Sequence, residues 1–142
     1  MKYILVILFL LINVNCSSSN KFTMPPIGHF YWDKELGDSV SMYTEIMPSF
    51  PGGEEALYQF VQREIHYPLI AQSARVEGKV YVQFVITKYG EVALPKIARG
   101  IGYGCDEEAI RVVKLLPSWN PGKKSGIPVN VLISTPILFK LR

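Results

Sequence analysis

The stretch from Gly78 to Gly90 constrains the fold more than any other part of the chain, because apolar residues alternate strictly with more exposed types between two glycines. The apolar positions are Val80, Val82, Phe84 and Ile86. Alternation with a period of two predicts a half-buried antiparallel strand over residues 79–87. The chain must therefore supply further strands to pair with it and an apolar layer to cover one face.

A second strand is predicted directly after this one, over residues 92–98. The turn between them includes Gly90, which can adopt a positive φ. Pro95 lies within the second strand and cannot donate a ladder hydrogen bond. We therefore expect a hairpin whose second strand lies at an edge of the sheet.

Two helical elements and a third strand complete the predicted domain. A helix over residues 54–65 is stopped by Tyr67-Pro68, and Pro68 begins a short helix to Arg75, so that two helical pieces meet at a bend. Another helix runs from about Asp106 to Leu116. Residues 128–141 alternate over a long distance, and a right-handed connection would place this strand beside the first and antiparallel to it. We predict an α+β fold: a three-stranded antiparallel sheet in the order second, first, third, with both helical elements on one face.

The beginning of the chain carries an export signal. Lys2 precedes an apolar run over residues 3–12, which is shorter than the ~20 residues that a bilayer span needs. Cys16 follows and is succeeded by Ser17-Ser18-Ser19, as in bacterial lipoprotein signals, so we predict lipidation of Cys16. A plain signal peptide with an incidental cysteine and an uncleaved signal anchor are the alternatives. The predicted division is a signal peptide over 1–15, a lipidated N-terminus and tether over 16–43, and a domain over 44–142.

The sequence indicates a binding protein and not an enzyme. No nucleophile, base and acid occur in a catalytic pattern, and neither histidine has a metal-ligand spacing with a cysteine or carboxylate. The glycines at 100, 102 and 104 are interpreted as a strand-to-helix turn, and Cys105 as a small apolar residue of the core. We predict no cofactor, no metal and, with a net charge of +3 and interspersed signs, no nucleic acid partner.

The last strand is the feature with a functional interpretation. A strand at an edge offers unpaired N–H and C=O groups to an incoming extended peptide. The alternative from the pattern alone is an edge blunted by Pro136 and Lys140.

A series of motifs over about residues 44 to 141 resembles the C-terminal domain of the TonB family, in the form found in Bacteroidetes-type bacteria. The motifs are Met47-Pro48-Ser49-Phe50-Pro51-Gly52-Gly53-Glu54-Glu55-Ala56, Tyr67-Pro68 with Ala71, Gly78 to Ile86, Arg99-Gly100-Ile101-Gly102, Gly104 to Ala109, Trp119-Asn120-Pro121-Gly122-Lys123, Pro128-Val129-Asn130-Val131 and Phe139-Lys140-Leu141.

This resemblance implies a periplasmic domain that adds a short segment of an outer-membrane receptor, the TonB box, as a strand beside its last strand. The implied partner-binding edge consists of Val129, Asn130, Val131, Leu132, Ile133, Ser134, Thr135, Ile137 and Phe139. The function expected is binding of TonB-dependent receptors, linked to transport, by a lipoprotein held at a membrane through Cys16, with the outer membrane favoured.

Two features of the family are missing from the sequence. In the family, proton flow through ExbB and ExbD is coupled by an N-terminal transmembrane helix and a long Pro-rich arm, whereas this chain has a short apolar run and only Pro25-Pro26 before the domain. A true energy transducer with an inner-membrane anchor, and a structural or scaffolding lipoprotein with another partner, are the alternative functions.

Overall fold

The computed structural model describes residues 30–141. Within these residues, three helices and six strands follow one another. They are β1 (Phe30–Asp33), β2 (Asp38–Ser41), α1 (Gly53–Glu64), α2 (Leu69–Ser73), β3 (Gly78–Ile86), β4 (Val92–Arg99), α3 (Cys105–Lys114), β5 (Gly122–Lys124) and β6 (Ile127–Phe139).

The sheet is mixed, with strand order β1-β2-β6-β3-β4, and β5 also pairs with β6. β2 runs parallel to β6, while the other neighbours are antiparallel. The predicted α+β class is confirmed, but the prediction of a three-stranded, wholly antiparallel sheet is wrong. The predicted second, first and third strands are β4, β3 and β6, which are neighbours in that order, and the sheet continues past β6 through β2 and β1.

The extra strands lie where no strand was predicted. Residues 30–41, inside the segment predicted as a tether, form β1 and β2, each four residues long. β5 has three residues and reaches β6 through a two-residue turn in which Ser125 and Gly126 both have positive φ, at 50° and 76°. Strands this short have too few residues to display an alternating pattern, and a parallel pairing is set by contacts far along the chain.

The core lies between the three helices and one face of the sheet. Val80, Val82, Phe84 and Ile86 of β3 have no solvent exposure, as the alternation predicted, and they share one cluster with Ile137 and Phe139 of β6. The helices contribute Val61, Ala71, Ala109, Val112 and Val113 to the same cluster. As predicted, the first helical element is divided at Tyr67-Pro68, so three helices cover this face.

The predictions for the beginning of the chain fall outside the described residues. The signal peptide and Cys16 precede residue 30, so lipidation remains a prediction. Between residues 30 and 141, none of the helices has the length and apolar character that a bilayer crossing requires.

Candidate peptide-binding edge

The residues predicted as the partner-binding edge all lie in β6. One side of this strand pairs with β3 from Val131 to Phe139. β5 pairs with residues 127–129, which precede the ladder to β3, and β2 pairs with the other side of β6 at Asn130 and Val131. Within residues 30–141, no strand pairs with that side beyond Val131. β2 therefore covers the predicted edge at Asn130 and Val131, and Val129 is paired with β5. We call residues 132–138 the open edge.

The register between β3 and β6 decides which main-chain groups of the open edge point outward. The N–H of Thr87 donates to the carbonyl of Glu91 at 2.9 Å, so the main-chain groups of Thr87 face β4. Along a strand, the main-chain groups of successive residues alternate between the two sides, so the groups of Ile86 face β6. The pair of Ile86 with Val131 is therefore a hydrogen-bonded pair. Hydrogen-bonded pairs with β3 then recur at the odd-numbered residues of β6.

The even-numbered residues of the open edge therefore direct their main-chain groups away from β3. Ser134 pairs with Gln83, and Leu138 pairs with Lys79, at positions that do not exchange hydrogen bonds with β3. Ser134 and Leu138 each present an N–H donor and a carbonyl acceptor outward. Pro136 presents a carbonyl only, because proline has no N–H. From Ser134 to Leu138, the open edge thus offers two donors and three acceptors at alternate residues.

A groove of about 610 Å³ runs beside the open edge. One wall is lined by residues of the open edge: Ile133, Ser134, Thr135, Pro136 and Leu138. The opposite wall comes from the segment before α1 and from α1 itself, and it is mainly apolar. Its residues include Met47, Pro48, Phe50, Leu57, Tyr58 and Val61.

The segment that begins this wall is fixed to the rest of the domain by main-chain hydrogen bonds. Ser49 and Asn120 exchange two of them, at 3.1 Å and 2.9 Å. Ile46 and Lys123 exchange two more, at 3.1 Å and 2.8 Å. The wall therefore has a fixed position relative to β5 and the open edge.

Trp119 also lines the groove and is 8% exposed. Its ring lies edge-on to Phe50 and Phe84, with centroid distances of 5.4 Å and 6.0 Å. The main chain of Trp119 approaches the turn after β3, where its N–H donates to the carbonyl of Gly90 at 2.8 Å. Gly90 has a φ of +86°, and a Cβ there would lie 2.1 Å from the carbonyl oxygen of Trp119. Glycine is thus required for Trp119 to reach its position.

Two side chains of the groove carry a buried donor without an acceptor. They are Trp119 through Nε1 and Gln62 through Nε2, and less than 1 Å² of each nitrogen is exposed. Leaving a buried donor unpaired costs about 1–3 kcal/mol, so folded proteins rarely contain such groups without a reason. Trp119 belongs to one of the motifs noted in the sequence, whereas nothing in the sequence singled out Gln62.

An ion pair fastens β2 over the beginning of β6. Lys88 Nζ lies 2.9 Å from a carboxylate oxygen of Asp38. Asn130 Oδ1 accepts the N–H of Lys88 at 2.9 Å, and Asn130 Nδ2 donates to the carbonyl of Ser39 at 2.9 Å. Hydrogen bonds from Lys88, from the Ser39 N–H and from Asn130 lower the pKa of Asp38 to about 2. We call Asp38, Lys88 and Asn130 the β2 latch.

The glycine-rich loop before α3 is filled by a side chain of the protein. Asp106 accepts hydrogen bonds from the N–H groups of Ile101 at 2.8 Å and Gly102 at 3.2 Å. A Cβ at Gly100 would lie 2.1 Å from the same carboxylate. A carboxylate therefore occupies the place where a phosphate would bind, which favours the structural interpretation of this loop.

The other groups considered for chemistry have structural surroundings. Cys105 is fully buried, and burial, followed by the charges of Asp106 and Glu107, raises the pKa of its thiol. The N–H of His66 donates to Glu108, which also accepts from Arg111. No set of three or more His, Cys, Asp or Glu residues in the described part of the chain could hold a metal ion.

Two comparisons with known proteins found a match for this chain. The model of the family described as Gram-negative bacterial TonB protein C-terminal matches residues 63–141, from the end of α1 to just beyond β6. The NMR solution structure of the Helicobacter pylori TonB C-terminal domain, residues 194–285, is 21% identical, with 61% of this chain and 90% of that chain covered and a TM-score of 0.46. No curated protein sequence matches significantly. Because the family match covers more than half of the 142 residues, this chain belongs to the TonB C-terminal domain family.

Proposed function

We propose that this protein is a periplasmic, non-catalytic binding domain that engages outer-membrane TonB-dependent receptors. It accepts a receptor segment, the TonB box, as an added strand along the open edge. Family membership supports the class of partner. The observation that carries the proposal is the outward direction of the main-chain groups at Ser134, Pro136 and Leu138, beside a groove that no other strand of residues 30–141 occupies.

Strand addition fits the chemistry of this edge. Main-chain hydrogen bonds supply affinity in this binding mode, and pockets for alternate side chains supply specificity. A strand that covers residues 132–138 spans roughly 23 Å, at about 3.3 Å per residue. The side chains of the added strand that lie on the helical face of the sheet point into the apolar groove, which removes them from water.

The available edge is shorter than the sequence predicted. β5 and β2 already pair with residues 127–131, so a receptor segment binds from Leu132 onward unless it displaces the β2 latch. Pro136 does not prevent docking, because it withholds one donor and still offers its carbonyl. The wall that faces the open edge lies mostly before residue 63, where the family match begins.

The anchoring of the domain belongs to the same proposal. We propose that a lipid on Cys16 holds the domain at a membrane, with the outer membrane favoured, and that coupling to ExbB and ExbD is the alternative. Palmitate labelling that disappears in Cys16→Ala, together with the mass of the mature N-terminus, tests this. An intact N-terminus in inner-membrane fractions would favour the energy transducer.

The docking proposal is tested by titrating the protein with a synthetic TonB-box peptide while its amide resonances are recorded. We expect the largest shifts at residues 132–138 and small shifts at residues 127–131, which serve as an internal control. Ser134→Pro removes one outward N–H without touching the ladder to β3 and should weaken binding roughly two- to tenfold. Ser134→Ala keeps that N–H and should bind like the wild type. Unmoved resonances along the open edge would refute the proposal.

A further inference from the structure

The groove contains two donors that the described residues leave without an acceptor. Trp119 Nε1 and Gln62 Nε2 both belong to side chains that line it, and solvent does not reach either nitrogen. The indole nitrogen of tryptophan and the amide nitrogen of glutamine both donate hydrogen bonds and do not accept them. Both groups would gain a hydrogen bond if a ligand supplied an oxygen acceptor.

The charge of the groove limits the kind of acceptor. Among the described residues that line the groove, Glu54 is the one with a charged side chain, and none is a lysine, arginine or histidine. A carboxylate brought into this space would lose its hydration without a cation to compensate. An uncharged acceptor, such as an amide oxygen, can accept a hydrogen bond from either donor without that cost.

The shape of the groove limits the rest of the side chain. Phe50, Leu57 and Val61 form an apolar lining between the open edge and α1, so the acceptor must stand at the end of an apolar stem. Met47 and Tyr58 also line the groove and are 48% and 50% exposed, which lets them change rotamer and admit a side chain to the covered donors.

We infer that the groove is a specificity subsite for one side chain of the docked strand, and that it selects an uncharged acceptor on an apolar stem, glutamine above all. This inference rests on the proposed strand addition along the open edge. Of the two donors, Gln62 precedes the residues that the family model matches, and Trp119 lies within them.

The test uses a blocked octapeptide of alternating threonine and valine as the probe. Glutamine, glutamate or methionine is placed in turn at each alternate position, and affinity is measured from amide shifts of the protein. We expect glutamine at one position to bind on the order of tenfold more tightly than methionine, and glutamate to bind no better than methionine.

Protein variants connect this preference to the two donors. Gln62→Met and Trp119→Phe each remove a donor while keeping most of the side-chain volume, and both should reduce the preference for glutamine. Gln59→Met is the matched control on α1, because Gln59 is exposed and bonds to Glu55. It should leave the preference unchanged.

The indole N–H resonances give a direct readout that a merely structural role would not move. The chain has two tryptophans, Trp32 and Trp119, and Trp32 is 67% exposed. The glutamine peptide should shift the Trp119 indole resonance and leave that of Trp32 in place. If all peptides shift the amide resonances of the open edge with equal affinity and the Trp119 indole resonance stays fixed, the inferred subsite is refuted while the proposed function stands. If no peptide shifts the open edge, both fail.

Discussion

Replacing Trp119 by alanine tests whether this residue supports both the core and the groove. The side chain is 8% exposed and contacts the rings of Phe50 and Phe84 edge-on, so its removal leaves a cavity between these two rings. Substitutions of this kind cost about 3–5 kcal/mol. The unpaired indole N–H disappears as well, and relief of its burial cost brings the expected loss to the lower end, about 3 kcal/mol.

A loss of this size is large for a small domain. Such domains are stable by about 5–15 kcal/mol, so the variant gives up a fifth or more of its free energy of unfolding. The melting temperature should fall by roughly 12–24 °C. Urea unfolding followed by far-UV circular dichroism measures the loss without depending on tryptophan fluorescence.

The other tryptophan supplies the matched control. Trp32 is 67% exposed, so Trp32→Ala should change stability by less than about 0.5 kcal/mol. Trp119→Phe keeps an aromatic ring and removes the unpaired donor, so it should lose less than half of what the alanine variant loses. A loss below about 1 kcal/mol in Trp119→Ala would refute the packing argument.

Two further predictions concern the turn after β3 and the β2 latch. Gly90→Ala should destabilise the domain by at least about 2 kcal/mol in urea unfolding, because a Cβ there meets the Trp119 carbonyl and φ is positive. Gly37→Ala, with positive φ but open space, should cost only about 1 kcal/mol, and equal losses would contradict the contact. For the latch, the pKa of Asp38 falls from 3.8 to about 2 on folding. Ionised Asp38 therefore stabilises the folded state above the pKa of the unfolded chain, and this stabilisation disappears as the pH drops from about 4 to 2. At low pH, the amide resonances of Val40 and Ser41 should then move toward the values of the unfolded chain. In Lys88→Met, the same resonances should be displaced already at neutral pH. Unchanged resonances in both experiments would contradict the latch.

The elements that the sequence predicted well are those whose signals are local. β3 was expected over 79–87 and spans Gly78–Ile86, and the helix expected from about Asp106 to Leu116 spans Cys105–Lys114. Alternating or helical periodicity, together with glycine or proline at the ends, defines each of them within a few residues. Pro95 likewise indicated an edge, and β4 ends the sheet.

What was missed depends on contacts between distant residues. Asp38 and Lys88 are separated by fifty residues, and only the folded chain brings them together to hold β2 against β6. The Ser125-Gly126 pair was a turn signal that could have indicated the β5–β6 hairpin. The groove had no such signal, because Gln62 looks like any polar residue of an amphipathic helix until the open edge of β6 lies opposite.

The position of β1 and β2 has a mechanical consequence. The chain enters the sheet at β1, whose Phe30 pairs with Ser41 at the end of β2. A load applied through the residues before Phe30 would peel β1 from β2 one pair at a time, which needs far less force than sliding two strands lengthwise. The ladder between β3 and β6 has nine pairs, against four between β1 and β2, so a partner docked on β6 could remain attached while the hairpin at the entrance unzips.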